Sequence, residues 1–125
     1  MANPNIVNVT TILGTTTFLT PANATANTLL SNAASSGLVF KVNNIVAANV
    51  DGTNAINTTV SINNAAAGAG TDFPIVSTVS VPADASLIVV DKTTSFYLME
   101  NQSIVVTSGT ASKIAYTISY ESIAS

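Results

Sequence analysis

The sequence predicts an all-β fold, an antiparallel β-sandwich of the jelly-roll kind with an extended N-terminal segment. Apolar residues recur at every second position in several segments, and this is the period of a half-buried strand. Turn-forming residues separate these segments at short intervals, for example from Asp51 to Asn54. No segment of the 125 residues has the length and apolar period of a long helix. Together these features favour two packed sheets.

The first twenty residues differ in pattern from the remainder. Asn3, Pro4 and Asn5 predict an extended start, and the polar region that follows is interrupted at Gly14. We predict strands at residues 6–13 and 16–20. Residues 1–20 therefore form either the first strand of the sandwich or an arm that pairs with another molecule, and residues 21–125 form the β-sandwich domain.

The later segments are rich in Val and Thr, whose branched side chains suit a pleated sheet. The clearest alternation places Ile114, Tyr116, Ile118 and Tyr120 on one face, which we predict to pack in the core. The segment 75–81 alternates less cleanly and is interpreted as buried on both faces. Strands are predicted at residues 28–32, 38–48, 57–63, 75–81, 87–90, 95–99, 103–107 and 113–120.

The chain is poor in reactive groups. It contains no His, Cys, Arg or Trp, and charged residues make up 7% of it, against about 25% in ordinary soluble domains. Catalysis needs groups whose protonation or nucleophilicity can be tuned. The three cations, Lys41, Lys92 and Lys113, each stand among polar residues that indicate a solvated surface. We therefore expect no enzyme activity and no cofactor.

The acidic residues were considered as catalytic or metal-binding groups. A glycoside hydrolase needs two carboxylates beside a sugar cleft, and the conceivable pairs are Asp84 with Asp91 and Glu100 with Glu121. Each of these residues falls at a predicted turn or strand end, so a structural role is favoured. The chain also lacks the repeated oxygen-ligand spacing of a calcium loop, so no metal site is predicted.

Charge and hydropathy also limit the possible partners. A net charge of −3 and only three Lys argue against nucleic acid. No apolar run approaches the ~18 residues that span a bilayer, so we expect no membrane partner. The first five residues show neither the basic nor the apolar segment of a secretion signal, so no export is expected. Surfaces rich in Thr, Ser, Asn and Ala lose water more readily than charged ones and still form hydrogen bonds. This composition favours assembly with other subunits, which we expect to cover the sheet edges.

Five segments of the chain resemble small virion structural proteins of tailed phages, particularly those of marine cyanobacteria. The likeness is carried by turns and strand edges rather than by an active site. The segments are residues 1–10 (MANPNIVNVT), 50–55 (VDGTNA), 80–87 (SVPADASL), 97–104 (YLMENQSI) and 118–123 (ISYESI).

This resemblance implies a non-enzymatic virion protein assembled in the host cytoplasm. The expected role is a capsid decoration or cement protein, a homotrimer that binds the major capsid protein or other virion proteins. A neck, tail or fibre-attachment component is the alternative within the virion, and a glycan-binding β-sandwich is the alternative from another class. The residues expected at the assembly interface are Asn3, Pro4, Ile6, Val7, Val9, Thr16 and Phe18.

Overall fold

The computed structural model describes residues 4–125, so the predicted interface residue Asn3 lies outside the described part. Nine strands and one short 3-10 helix, Lys92–Thr94, make up its regular structure. The strands are β1 Thr11–Leu19, β2 Asn27–Asn32, β3 Leu38–Asn49, β4 Ile56–Asn63, β5 Asp72–Val81, β6 Ser86–Val90, β7 Phe96–Leu98, β8 Gln102–Ser108 and β9 Ile114–Ala124.

The strands form two antiparallel sheets that pack face to face. The first sheet has the order β1-β9-β3-β6, with β7 also paired to β3, and the second has the order β2-β8-β4-β5. Because β6 and β7 pair with different parts of β3, they act as one interrupted strand. The chain crosses repeatedly between the sheets, as it does in a jelly roll. The predicted all-β sandwich is confirmed.

The core lies between the sheets and is built by alternation along the central strands. Ile114, Tyr116 and Ile118 of β9 are fully buried, as their shared parity predicts. The Tyr116 hydroxyl donates to the carbonyl of Thr107 at 2.9 Å and also hydrogen-bonds the Thr58 hydroxyl. This buried phenol is therefore satisfied, and it joins the two sheets through the core.

The prediction of two separate strands at residues 6–13 and 16–20 was wrong. A single strand runs through Gly14, which stays in register opposite Glu121. The chain before it is a turn, in which the Val7 amide donates to Asn5 Oδ1 at 3.0 Å and the Asn8 amide to the Asn5 carbonyl at 3.1 Å. An Asn side chain that bonds the backbone two residues on competes with strand pairing.

The prediction that residues 75–81 are buried on both faces was also wrong. In β5 only Val81 is buried, and most of the strand is exposed. The strand lies at the edge of the second sheet, and its register against β4 shifts twice. Its apolar run reflects an irregular edge rather than a central strand.

A loop of residues 64–71 covers part of the outer face of the second sheet. Ser103 Oγ donates to the Ala65 carbonyl at 2.7 Å, and Val105 beneath the loop is 5% exposed. Gly68 has a φ of +73°, and a Cβ there would lie 3.2 Å from the Val105 side chain. Glycine therefore permits both the turn and the close approach.

Candidate functional site

The strand β1 forms an open edge of the first sheet. Its nine residues pair without a register shift to β9 on one side, and its other side is unpaired within the described chain. Seven of its nine residues are exposed, namely Thr11 to Thr16 and Phe18, and the apolar side chains among them are Ile12 at 55%, Leu13 at 59% and Phe18 at 78%. An unpaired row of backbone N–H and C=O groups beside apolar side chains is a template for strand addition.

The other sheet edges carry features that hinder strand addition. The strand β5 contains Pro74 and two register shifts, and its Thr78 has a φ of +52°. The strand β2 is short and shifts register between Thr28 and Leu30. The edge formed by β6 and β7 is interrupted by the 3-10 helix. Proline, bulges and short strands are the usual protections of an edge, and β1 has neither a proline, a bulge nor a charge.

The structure places the predicted interface residues in two groups. Pro4 and Ile6 line a cavity of about 230 Å³ on the outer face of the first sheet, together with Val39, Tyr97 and Met99. Val7 is 91% exposed, whereas Val9 is half-buried. In β1, Thr16 Oγ1 lies 2.9 Å from Ser119 Oγ, and Phe18 points into solvent.

Sequence reasoning missed Ile12 and Leu13 as candidate interface residues. They are consecutive in β1, so they lie on opposite faces, and both are more than half exposed. Two adjacent apolar residues just before the polar run Gly14–Thr17 were the available signal. Neighbouring residues of a strand face opposite sides, so one of the two apolar side chains had to lie on the outer face of the sheet.

A second feature is a surface cavity of about 560 Å³ on the outer face of the first sheet, where β6 gives way to β7. Its walls come from β3, from β6, from β9 and from the chain around the 3-10 helix. Four of the nine charged side chains in the sequence line it. The lining residues are Lys41, Asn43, Asn44, Val46, Ile88, Asp91, Lys92, Ser95 and Glu121.

Strand pairing explains how the polar groups meet in this cavity. Lys41 of β3 lies directly opposite Glu121 of β9 on one side and Tyr97 of β7 on the other. The register of β3 against β9 shifts between Val42 and Asn44. This bulge allows both Asn43 and Asn44 to line the cavity. The Asn43 side-chain amide donates to Glu121 Oε1 at 3.1 Å and so fixes that carboxylate.

Asp91 at the cavity wall caps the 3-10 helix. Its Oδ1 accepts from the Thr93 amide at 2.9 Å and the Thr93 hydroxyl at 2.6 Å, while the Asp91 amide donates to Thr94 Oγ1 at 3.0 Å. This capping box begins the 3-10 helix. The hydrogen bond from the Thr93 hydroxyl, followed by that from its amide, lowers the pKa of Asp91 below its usual value.

The carboxylates that meet are not the pairs considered from the sequence. Asp91 and Glu121 line one cavity, while Asp84 and Glu100 do not line it. Asp91 and Glu121 are thirty residues apart on different elements, so only the folded sheet brings them to the same wall. Lys41 and Lys92 line this cavity as well. Of the three Lys predicted on the solvated surface, Lys92 is exposed, whereas Lys41 and Lys113 are half-buried.

Within residues 4–125, no group of three or more His, Cys, Asp or Glu side chains is arranged to hold a metal ion. The same part of the chain has no helix of the length and apolarity that would cross a bilayer.

No protein-family model and no curated protein matches the chain, but its fold is similar to that of several solved structures. A chain from the Bacillus endospore appendages, a family of disulfide-linked pili, superposes with a TM-score of 0.52 at 17% identity, over 92% of this chain and 90% of that one. The acidic stable capsid of Helicobacter pylori bacteriophage KHP30 gives 0.50 at 11% identity, over 93% and 90%. The T13 IBDV viral particle gives 0.50 at 8% identity, over 93% of this chain and 32% of that one. At these identities the likeness is one of fold.

Proposed function

We propose that this protein is a non-enzymatic structural protein of a virion, and specifically a decoration or cement protein that binds the major capsid shell through β1. The observation that carries the proposal is the open edge of β1, nine residues in continuous register with no partner on one side within the described chain. The likeness in fold to two viral particle proteins supports a place in a virion.

Strand addition at β1 fits the chemistry of this edge. The backbone groups of the free side would pair with an extended segment of a capsid subunit, and Ile12, Leu13 and Phe18 would pack around it. No residue of β1 is charged, so covering the strand does not require burying an unpaired ion. A stable contact buries roughly 800 Å² on each partner, so the outer face beside β1 would contribute as well.

The N-terminal residues are proposed to extend this contact. Ile6 and Val7 are exposed and lie just before β1, next to the cavity that Pro4 lines. Residues 1–20 would thus contribute both an edge strand and a short apolar segment to the interface. The oligomer proposed is a homotrimer seated where capsid subunits meet.

The test is to add the purified protein to empty capsids of its phage. Cosedimentation measures the binding, and the melting temperature of the shell measures the stabilisation. We expect saturable binding and a higher shell melting temperature. Thr15→Lys places a charge on the open edge and should lower occupancy at least tenfold, because a strand edge with an inward-facing Lys resists pairing. Ser77→Lys on the exposed part of β5 is the matched control and should bind as the unaltered protein does.

Three outcomes would contradict the cement role. The first is no capsid binding by a folded protein, and the second is equal loss of binding in both Lys variants. The third is filament formation by the purified protein alone, visible by electron microscopy, which would favour a tail or fibre component. A disulfide-linked filament is excluded for these 125 residues because they contain no cysteine.

A further inference from the structure

We propose that the charged cavity between β6 and β7 binds a hexose unit of an uncharged polysaccharide. This inference goes beyond the capsid role and does not depend on it. The juxtaposition that carries it is the meeting of two Lys, two carboxylates and two Asn over an apolar floor, in a chain that otherwise has few charges.

The composition of this cavity is unlike that of the chain. Charged residues are 7% of the sequence but four of the nine residues that line the cavity. If the 3-10 helix between β6 and β7 served the fold alone, it would need Asp91 as its cap, but it would not need Lys41, Lys92 or Glu121 beside it. The volume, about 560 Å³, lies within the range of roughly 300–1,000 Å³ found for small-molecule sites.

Two irregular features of the backbone form the cavity. The 3-10 helix Lys92–Thr94 separates β6 from β7, and β3 shifts register against both β9 and β6 in the same region. Bulges redirect side chains and are frequent next to binding sites. Here the bulge allows Asn43 and Asn44, which are consecutive, to line one cavity.

The side chains retain groups that a ligand could use. In the described part of the chain, the hydrogen bonds that the Asp91 side chain accepts all go to Oδ1, and the one that Glu121 accepts goes to Oε1. Oδ2 of Asp91 and Oε2 of Glu121 therefore remain as acceptors. The Lys41 and Lys92 ammonium groups are donors, and each Asn amide both donates and accepts.

A sugar hydroxyl group matches this mixture because it can donate to a carboxylate and accept from an ammonium group at once. Val46 and Ile88 provide apolar surface for the C–H groups of the ring, and Ile88 is 64% exposed. The two positive and two negative charges balance, so a ligand without net charge leaves none of them uncompensated. An acidic sugar would instead add a negative charge to a cavity whose two Lys are already balanced by Asp91 and Glu121.

The test uses the full-length protein labelled with nitrogen-15. Methyl glycosides of glucose, galactose and mannose are titrated in turn, with glucuronic acid as the acidic comparison, while the side-chain amide signals of Asn43 and Asn44 are followed by NMR. We expect one of the neutral glycosides to shift these signals with a dissociation constant on the order of 1 mM. Many copies on one particle would raise the avidity for a polysaccharide by about 10²–10⁴.

Lys41→Gln should weaken this binding about tenfold, because it removes a charged hydrogen-bond donor. Lys113→Gln is the matched control, since it removes the same charge from another half-buried lysine outside the cavity. The proposal is overturned if no neutral glycoside shifts the Asn43 and Asn44 signals, if glucuronic acid binds more tightly, or if the two Lys variants lose binding equally. Thr15→Lys should retain sugar binding, so failure of this inference and failure of the capsid proposal are separable.

Discussion

The strands β1 and β5 are both exposed edges, but only β5 is protected against further pairing. The strand β5 begins at Asp72, contains Pro74 and shifts register twice against β4. The strand β1 is uncharged and pairs in unbroken register along nine residues. Edge protection is needed wherever pairing would be harmful. Among the sheet edges of residues 4–125, β1 is the one without such protection, and this is why the proposed contact is placed there.

The first prediction asks whether β1 is needed for folding or only for contact. Ile118→Ala opens a cavity beneath β9 and should lower the free energy of unfolding by about 2–5 kcal/mol. Ile12→Ala on β1 should cost less than about 1 kcal/mol, because Ile12 is 55% exposed. Urea denaturation measures both. A cost for Ile12→Ala as large as that for Ile118→Ala would mean that β1 belongs to the core of the isolated protein.

The second prediction compares the exposed phenylalanines of the two edges. Phe18 on β1 is 78% exposed and Phe73 on β5 is 57% exposed. Phe18→Ser should weaken capsid binding by about 2 kcal/mol, or roughly thirtyfold, if this ring is a buried anchor of the interface. Phe73→Ser should leave binding unchanged, since β5 is not the proposed contact. Quantitative cosedimentation gives the two constants, and equal weakening would contradict the distinction between the edges.

The third and smallest effect concerns pH. The strand β1 has no ionisable side chain, so capsid binding through it should be nearly constant between about pH 5 and 9. Folding should respond outside this interval. Burial raises the pKa of Tyr116 above its usual value of 10. The contribution of this neutral phenol to the free energy of unfolding is therefore fully present below pH 10 and is lost as the pH rises through the raised pKa.

At acid pH the direction is opposite. Hydrogen bonds from the Thr53 and Asn54 amides lower the pKa of Asp51, and Thr93 does the same for Asp91. Their contribution is therefore present above about pH 4 and is lost as the pH falls through the lowered values. Melting temperatures measured across about pH 3–11 test both the acid and the alkaline loss of stability. Tyr116→Phe should remove part of the alkaline loss, whereas Tyr97→Phe at an exposed position should not.

Much of the fold was predictable because alternation reports directly on burial. The inward face of β9 follows from Ile114, Tyr116 and Ile118 alone. Two predictions failed where local pattern is ambiguous. Gly14 was predicted to interrupt the strand, although an extended strand accepts glycine. Residues 75–81 were predicted to be buried on both faces, although an apolar run also occurs in an irregular edge strand.

The candidate sites were less predictable than the fold. Thr16 and Phe18 were named from the sequence, and the structure places them on the open edge. The cavity was not predicted, because Lys41, Asp91 and Glu121 come from separate parts of the chain. Their meeting depends on the pairing of β3 with β9 and on the interruption between β6 and β7, neither of which has a local signal.

The sequence by itself determined that this protein is a β-sandwich with little charge, because strand period and composition are local properties of the chain. Only the tertiary structure decided which strands became edges, which edge stayed open and where the few charges collected. These depend on pairing between residues distant in sequence, and such pairing is set by the packing of the whole sandwich rather than by any one segment.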